Sequence, residues 1–493
     1  MRFAKNMKNI SIAVGATSIL SSTLVCAGET EKQTRPNILF MMSDDHTSEA
    51  LSVYKSWLKD YVDTPNIQRL SDEGIHFANV CCNNSICSPS RASVLTGQYS
   101  HKNGVKGLHG EIYDESPRFI EELSKSGYQT SIIGKWHLNS TPKGFDSFQI
   151  MKNQGDYFNP TLYTDAYSKN IKKKHEGYSA EIFSDLAIDY MDKRDKSKPF
   201  ALMVQYKATH ASWKYPKKYE DMLKGVTIPE HDSFFEDVKK TSPFLKAKYV
   251  SFFRNFMSNA DLKGEDDKKE KSERYQKLIK DFLRTGKALD DNIGRILDYL
   301  DENDLRENTI VVYTADQGYW LGQHGFWDKR LILETSLKMP FIVRYPSKIK
   351  AKSFNNDLCS NVDFSATFLD YANVAIPEAM QGKSMKPLLQ GEDTPKDWRK
   401  AIYYSYFGVP AHYGIRTKEY KLIHILRPNG EKDEIELYDL KNDPNEMKNV
   451  ANNPQYIKAL AECEAELATL KTELDIKEND LPKYKKPAKI KGK

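Results

Sequence analysis

Four short runs of apolar residues, each ending on chemically capable side chains, constrain this chain more than any other feature. They are NILFMM before Ser43-Asp44-Asp45, TSIIG before Lys135-Trp136-His137, FALMVQY before His210, and TIVVYT before Asp316-Gln317. Short runs with no polar alternation read as strands buried on both faces, the pattern of a parallel sheet. Segments such as IEELSKSG and KALDDNIGRILDYLDEN supply helices between them. Open α/β sheets bind ligands beyond the carboxyl ends of their strands. Four strands therefore deliver candidate chemistry to one edge. The expected fold is α/β, with a mostly parallel central sheet flanked by helices over residues 28–392.

The pattern changes after Pro395. The alternating segments AIYYSYF, YGIRT, YKLIHIL and IELYDL read as antiparallel strands, and a helix follows from about Pro454 to Leu474. This predicts a smaller α+β subdomain over 396–475, followed by a basic tail at 476–493. The span from Lys214 to Arg274 is highly charged, includes the run EDDKKEKSE, and reads as a surface insertion bordering the substrate cleft. The 73 basic and 68 acidic residues leave a net charge of only +5, and six of the positive charges fall in the last eleven residues. That balance does not call for a nucleic-acid partner.

Residues 1–27 read as an export signal. Arg2, Lys5 and Lys8 precede an apolar stretch from Ile10 to Val25, and Val25-Cys26-Ala27 offers small residues for cleavage. The stretch is about sixteen residues, short for a stable span, so no transmembrane segment is expected in the mature chain. The expected location is periplasmic. Lipidation of Cys26, with Glu29 and Glu31 just downstream, is the alternative to plain cleavage. Cleavage after Ala27 leaves Cys81, Cys82, Cys87, Cys359 and Cys463, an odd number over a long chain and no disulfide framework.

Asp44 and Asp45 are adjacent carboxylates, which repel unless a cation or proton lies between them. With Asp316 and the amide oxygen of Gln317 they form an all-oxygen set suited to calcium, or magnesium as the alternative, rather than zinc. Alone, an Asp-Asp pair after a strand reads first as a helix N-cap. A sharper signal is Cys87-Ser88-Pro89-Ser90-Arg91, continuing through Thr96-Gly97 to His101 and Gly104-Val105.

On these residues the chain resembles the type I sulfatases of the alkaline phosphatase superfamily, whose signature is Cys-X-Pro-Ser-Arg followed by Thr-Gly. The likeness extends to Arg35-Pro36-Asn37-Ile38-Leu39, Gly134-Lys135-Trp136-His137, Thr314-Ala315-Asp316-Gln317-Gly318, Leu321-Gly322-Gln323-His324-Gly325 with Lys329, and His412 through Thr417. It spans about residues 36 to 450. The resemblance implies that a separate maturation enzyme oxidises Cys87 to formylglycine. The aldehyde hydrate then offers one hydroxyl to attack sulfur and a second to help eject sulfate. It further implies that Asp44, Asp45, Asp316 and Gln317, with the modified Cys87, hold the cation. Arg91 would support the modified residue, Lys135 and Lys329 would clamp the sulfate, His137 would hold or deprotonate the hydrate, and His210 would protonate the leaving oxygen. His210 follows Ala208-Thr209 where many relatives have proline, and Gln317 replaces their asparagine or histidine. His101 and His324 read as supporting residues.

A sulfated glycan is the expected substrate, with 6-sulfated N-acetylglucosamine the leading comparison. Trp213, Asp328, Arg330 and His412 are the candidate sugar contacts. A phosphonate or phosphodiester hydrolase of the same superfamily is the nearest rival reading. A glycan-binding protein without catalysis is the rival from another class.

Overall fold

The computed structural model describes residues 35–164, 171–236, 242, 264–428 and 431–485. The expected signal and Cys26 lie outside the described residues, as do the last eight residues of the basic tail. Among the described residues no helix is long and apolar enough to cross a membrane.

The four apolar runs form four neighbouring strands of one ten-stranded sheet: Thr309–Ala315, Asn37–Ser43, Phe200–Gln205 and Gln129–Lys135. All four run parallel, and Ser147–Met151 continues the parallel set beyond Gln129–Lys135. Phe341–Arg344 pairs antiparallel on one flank, and Thr161–Tyr163 on the other. The register aligns Ser43 with Ala315, Met42 with Gln205 and Gly134 with Gln205, so the four strands end at one level. The residues immediately beyond them, Asp44, Asp316 and His137 among them, are therefore brought to a common edge.

Side chains alternate across a strand, and the central strand shows why both faces are apolar. Ile38, Phe40 and Met42 enter one core, which also takes residues of the helices Cys87–Thr96, Phe119–Lys125 and Asp363–Tyr371. Leu39 and Met41 enter the other, shared with Pro65–Asp72, Ser179–Lys193 and Glu265–Glu302. Gly134 (φ 101°) lets its strand press against its neighbour: a Cβ there would lie 2.1 Å from the Gln205 carbonyl oxygen.

The charged run EDDKKEKSE, expected within a surface insertion, is helical. It is the first part of the 38-residue helix Glu265–Glu302, whose Tyr275, Ile279 and Phe282 are buried. Charged residues fill its outward face, leaving an inward apolar stripe too sparse to stand out from the sequence. Upstream, Ile228 and Phe234 pack with Trp213, Tyr275 and Trp327, so part of this span has a core of its own.

The strands Ala401–Tyr406, His412–Thr417, Tyr420–Ile425 and Glu434–Asp439 form an antiparallel sheet in chain order, covered by the helix Ile457–Glu473. It belongs to the same compact unit, Arg35 to Lys493, as the large sheet. A buried charge cluster ties the two. Lys421 pairs with Glu446 at 2.6 Å and with Glu334 at 2.9 Å, and Arg416 pairs with Glu334 at 3.1 Å. Burial opposes ionisation of Glu334, but Arg416 and Lys421 outweigh it and hold the carboxyl well below the usual range. Glu334→Ala would leave two buried cations facing Glu446 alone. The expected loss is about 3–5 kcal/mol of stability, read as a lower denaturant midpoint.

Candidate active site

Cys87 opens the helix Cys87–Thr96, which ends at Gly97 in the left-handed conformation (φ 64°). A helix N-terminus ordinarily favours a thiolate. Here burial, and next the charge of Asp44, push the Cys87 thiol up instead. Its sulfur lies 3.4 Å from Asp44 Oδ1 and 3.8 Å from Gln317 Nε2. A protonated, buried thiol is a poor nucleophile. All five described cysteines are free and buried.

Arg91, one helical turn beyond Cys87, is fully enclosed. It donates through Nε to Asp316 Oδ2 at 3.1 Å, pairs through its other terminal nitrogen with the same oxygen at 2.9 Å, and donates to the Lys135 carbonyl at 3.1 Å. It also bonds Gln205. Lys135 pairs with Asp44, and Lys329 Nζ reaches Asp45 Oδ2 at 2.5 Å. His210 Nε2 stands 3.8 Å from that same Asp45 oxygen.

Asp44, Asp45 and Asp316 bring one oxygen each within 4.8 Å of one another. Burial raises the pKa of Asp45, with Lys329 opposing, and burial and then Asp44 raise Asp316 to about 7. Asp44 goes the other way: burial resists, but Lys135 and Arg91 hold it well below the usual range. Gln317 donates its amide nitrogen to Asp45 Oδ1 at 2.5 Å, while its amide oxygen is buried with no hydrogen-bond partner among the described residues. An unpartnered buried oxygen beside three buried carboxyls is costly without a cation. The donor set is all oxygen, so it fits a hard divalent ion.

Burial, and then the charge of Lys135, press His137 down to about 2, and burial with Lys329 holds His210 well below its ordinary value. Both imidazoles are neutral at pH 7 in this state. Ser88 Oγ donates to the His137 carbonyl at 2.6 Å and fixes its turn, in which His137 has φ 52°.

A cavity of about 290 Å³ opens above Cys87, and Asp45, Gln154, His210, Tyr319, Asp328, Lys329 and Arg330 line it. Asp328 and Arg330 pair at 2.7 Å on its wall, and Tyr406 accepts from Arg330 at 3.3 Å. The other two candidate sugar contacts are placed differently. Trp213 donates its indole N–H to the Thr209 carbonyl at 2.6 Å and packs on Trp327 and Tyr319, because an apolar pocket can take the whole ring. His412 is fully buried: its Nε2 accepts from the Ile332 amide at 3.2 Å, and its ring stacks on Tyr404 beneath the Arg330 segment. These two are packing residues in this structure, and His412 supports Arg330 from behind. His101 and His324 are also structural. His101 Nε2 bonds the Leu474 carbonyl at 2.9 Å, and His324 Nδ1 bonds Glu236 at 2.6 Å.

Gln154, Gln205 and Lys207 escaped the sequence reading. Gln154 follows a strand with no chemical signature. Lys207, a lone cation at the end of the apolar run before His210, was the one available clue.

A helix-start cysteine ringed by three cations, beside a set of buried carboxylates at the carboxyl edge of a parallel sheet, is the arrangement of an alkaline phosphatase-like ester hydrolase. A sulfatase family model matches residues 36–374, over half the chain. The chain belongs to the sulfatase family and is a sulfuric ester hydrolase. A model for the C-terminal part of N-sulphoglucosamine sulphohydrolase matches residues 322–473. An N-acetylglucosamine-6-O-sulfatase of Bacteroides thetaiotaomicron is 38% identical, over 99% of this chain and 94% of its own. An arylsulfatase of Clostridium perfringens is 26% identical over 86% and 91%. The solved structure of BT4656 in complex with its substrate D-glucosamine-2-N,6-O-disulfate superposes with a TM-score of 0.82 at 36% identity, covering 91% of this chain and 99% of that one.

Proposed function

We propose that this sulfatase removes the 6-O-sulfate of a glucosamine-type sugar, with Cys87 acting as formylglycine and Ca2+ held by Asp44, Asp45, Asp316 and Gln317. What carries the substrate reading is similarity along nearly the whole chain to a named N-acetylglucosamine-6-O-sulfatase. The Asp328–Arg330 pair on the cavity wall supports it, since a carboxylate beside a guanidinium offers both an acceptor and donors to sugar hydroxyls.

Formylglycine supplies the nucleophilic hydroxyl that a buried thiol does not. The bound cation would supply positive charge to that oxygen and to a sulfate oxygen. The chain's own groups do the rest. Lys329 lines the cavity and Lys135 pairs with Asp44 beside Cys87, and both exchange part of their carboxylate pairing for sulfate oxygens. Arg91, locked by Asp316 and Gln205, keeps the first turn of the Cys87 helix in register with the carboxylates. His137, neutral, accepts the proton of the nucleophile. His210 faces the cavity, and the negative charge of an arriving sulfate ester raises its proton affinity, fitting it to protonate the departing alcohol oxygen.

Under this reading the chain is exported to the periplasm, with residues 1–27 removed or Cys26 lipidated. A formylglycine-generating enzyme is its maturation partner, and a sulfated glycan is its substrate.

A panel of glucosamine 6-sulfate, its N-acetyl and N-sulfated forms, and galactose 6-sulfate tests the substrate class. Release of 6-O-sulfate from the glucosamines is expected. Turnover confined to sugars without a 6-sulfate would sink the proposal. Asp328→Ala is expected to lower kcat/KM on the best sugar by about 10²-fold, the loss typical of an unpaired polar contact with substrate.

A further inference from the structure

The loop after strand Ser147–Met151 touches three of the residues assigned to the reaction, yet carries no assignment itself. Gln154 accepts from Lys135 Nζ at 2.7 Å, and its amide nitrogen lies 3.5 Å from His137 Nε2. Three residues on, Tyr157 donates its hydroxyl to the His210 carbonyl at 2.5 Å. One short loop thus reaches groups delivered by two different strands.

Asn153 and Gly155, either side of Gln154, have φ of 52° and 62°. Asparagine and glycine adopt this region readily, so the turn itself is unstrained, and what places the loop against the site is a fastening from outside it. Lys207 provides one. Its ammonium donates to the Gln154 carbonyl at 3.0 Å and sits 5.0 Å from the centre of the Tyr157 ring. Lys207 is only 6% exposed. Burying an ammonium is expensive, and an apolar side chain would fill the same space more cheaply. A bond to a loop carbonyl with a ring face beside it gives the charge a purpose. Burial, and next the charge of Lys135, bring Lys207 down to about 8, which leaves it an ammonium at neutral pH.

We propose that Lys207 is a positioning residue: by fixing the Gln154–Tyr157 loop it sets Lys135 and His137 against the sulfate and His210 against the leaving oxygen. The inference rests on the catalytic reading of those three residues.

The test is steady-state kinetics of the full chain, matured, on whichever sulfate ester the wild type turns over fastest. Lys207→Met is expected to lower kcat by about 10- to 100-fold, as misplacement of reacting groups does. KM should move less than about threefold, and Lys207→Arg should recover most of kcat. Gln154→Ala should lower kcat similarly, and the double variant should be no worse than the poorer single one, since both act through one loop. Wild-type kcat in Lys207→Met, failure of arginine to rescue, or losses that multiply would overturn the proposal. Should Lys207→Met not fold, an active Lys207→Arg beside an impaired Gln154→Ala upholds it, and a fully active Gln154→Ala overturns it. Lys135→Ala separates the two levels. Full activity there sinks the catalytic reading, whereas an inactive Lys135→Ala beside a wild-type-like Lys207→Met sinks only the positioning role.

Discussion

Cys87→Ala is expected to cut turnover of every sulfate ester by about 10⁴-fold or more while leaving a folded protein, because under the proposed formylglycine mechanism it removes the covalent nucleophile and with it the whole two-step route. The argument for retained fold is local. The Cys87 sulfur has polar partners in Asp44 at 3.4 Å and Gln317 at 3.8 Å, and no disulfide among the described residues depends on it. The helix that starts at Cys87 is anchored elsewhere: by Arg91 on Asp316, by Ser90 on the Asp316 carbonyl, and by Asn361 donating to Ser90 Oγ at 2.9 Å. Losing one sulfur atom from this frame should cost about 1–2 kcal/mol at most. Kinetics and a thermal melt on the same preparation check both halves. Residual activity above about a hundredth of wild type would mean that another group attacks sulfur.

Removing the proposed cation is the second large effect. Dialysis against a chelator should lower kcat by about 10²-fold or more, the scale of losing a charge aimed at a developing oxyanion, and Ca2+ should restore it. The same ion should stabilise the fold, since a ligand at a hundred times its dissociation constant adds about 2.7 kcal/mol. Asp316→Asn should abolish that thermal shift, because it removes one of three convergent carboxylates, and weaken the hold on Arg91 as well. A protein indifferent to the chelator in both rate and melting temperature would show that the unpartnered Gln317 oxygen and its neighbours hold no ion.

The strands were readable because parallel strands buried on both faces leave uninterrupted apolar runs, and all four runs became adjacent strands with their polar ends level. Cys87, Arg91, Lys135, His137, His210 and Lys329 were readable because each sits in a local motif at a strand end or helix start, and the structure gathers them at one edge. What sequence did not give were contacts made across the fold. Gln154 and Lys207 are 53 residues apart and meet only because their strands converge. Trp213 looked like a sugar platform, but the aromatic pocket that receives it is assembled from Phe282, Tyr319 and Trp327, far along the chain. The helix Glu265–Glu302 was truncated in the sequence reading because its first turns carry dense charge, which masks amphipathic periodicity.

The most direct test of the central claim is the mass of the tryptic peptide Leu70–Arg91 from protein made in its native host. Fragmentation must localise the change, since Cys81 and Cys82 share the peptide with Cys87. Conversion predicts a loss of about 18 mass units at Cys87 and none at the other two, the exchange of a thiol for an aldehyde. An unmodified Cys87, in a host that matures such cysteines, would contradict the account.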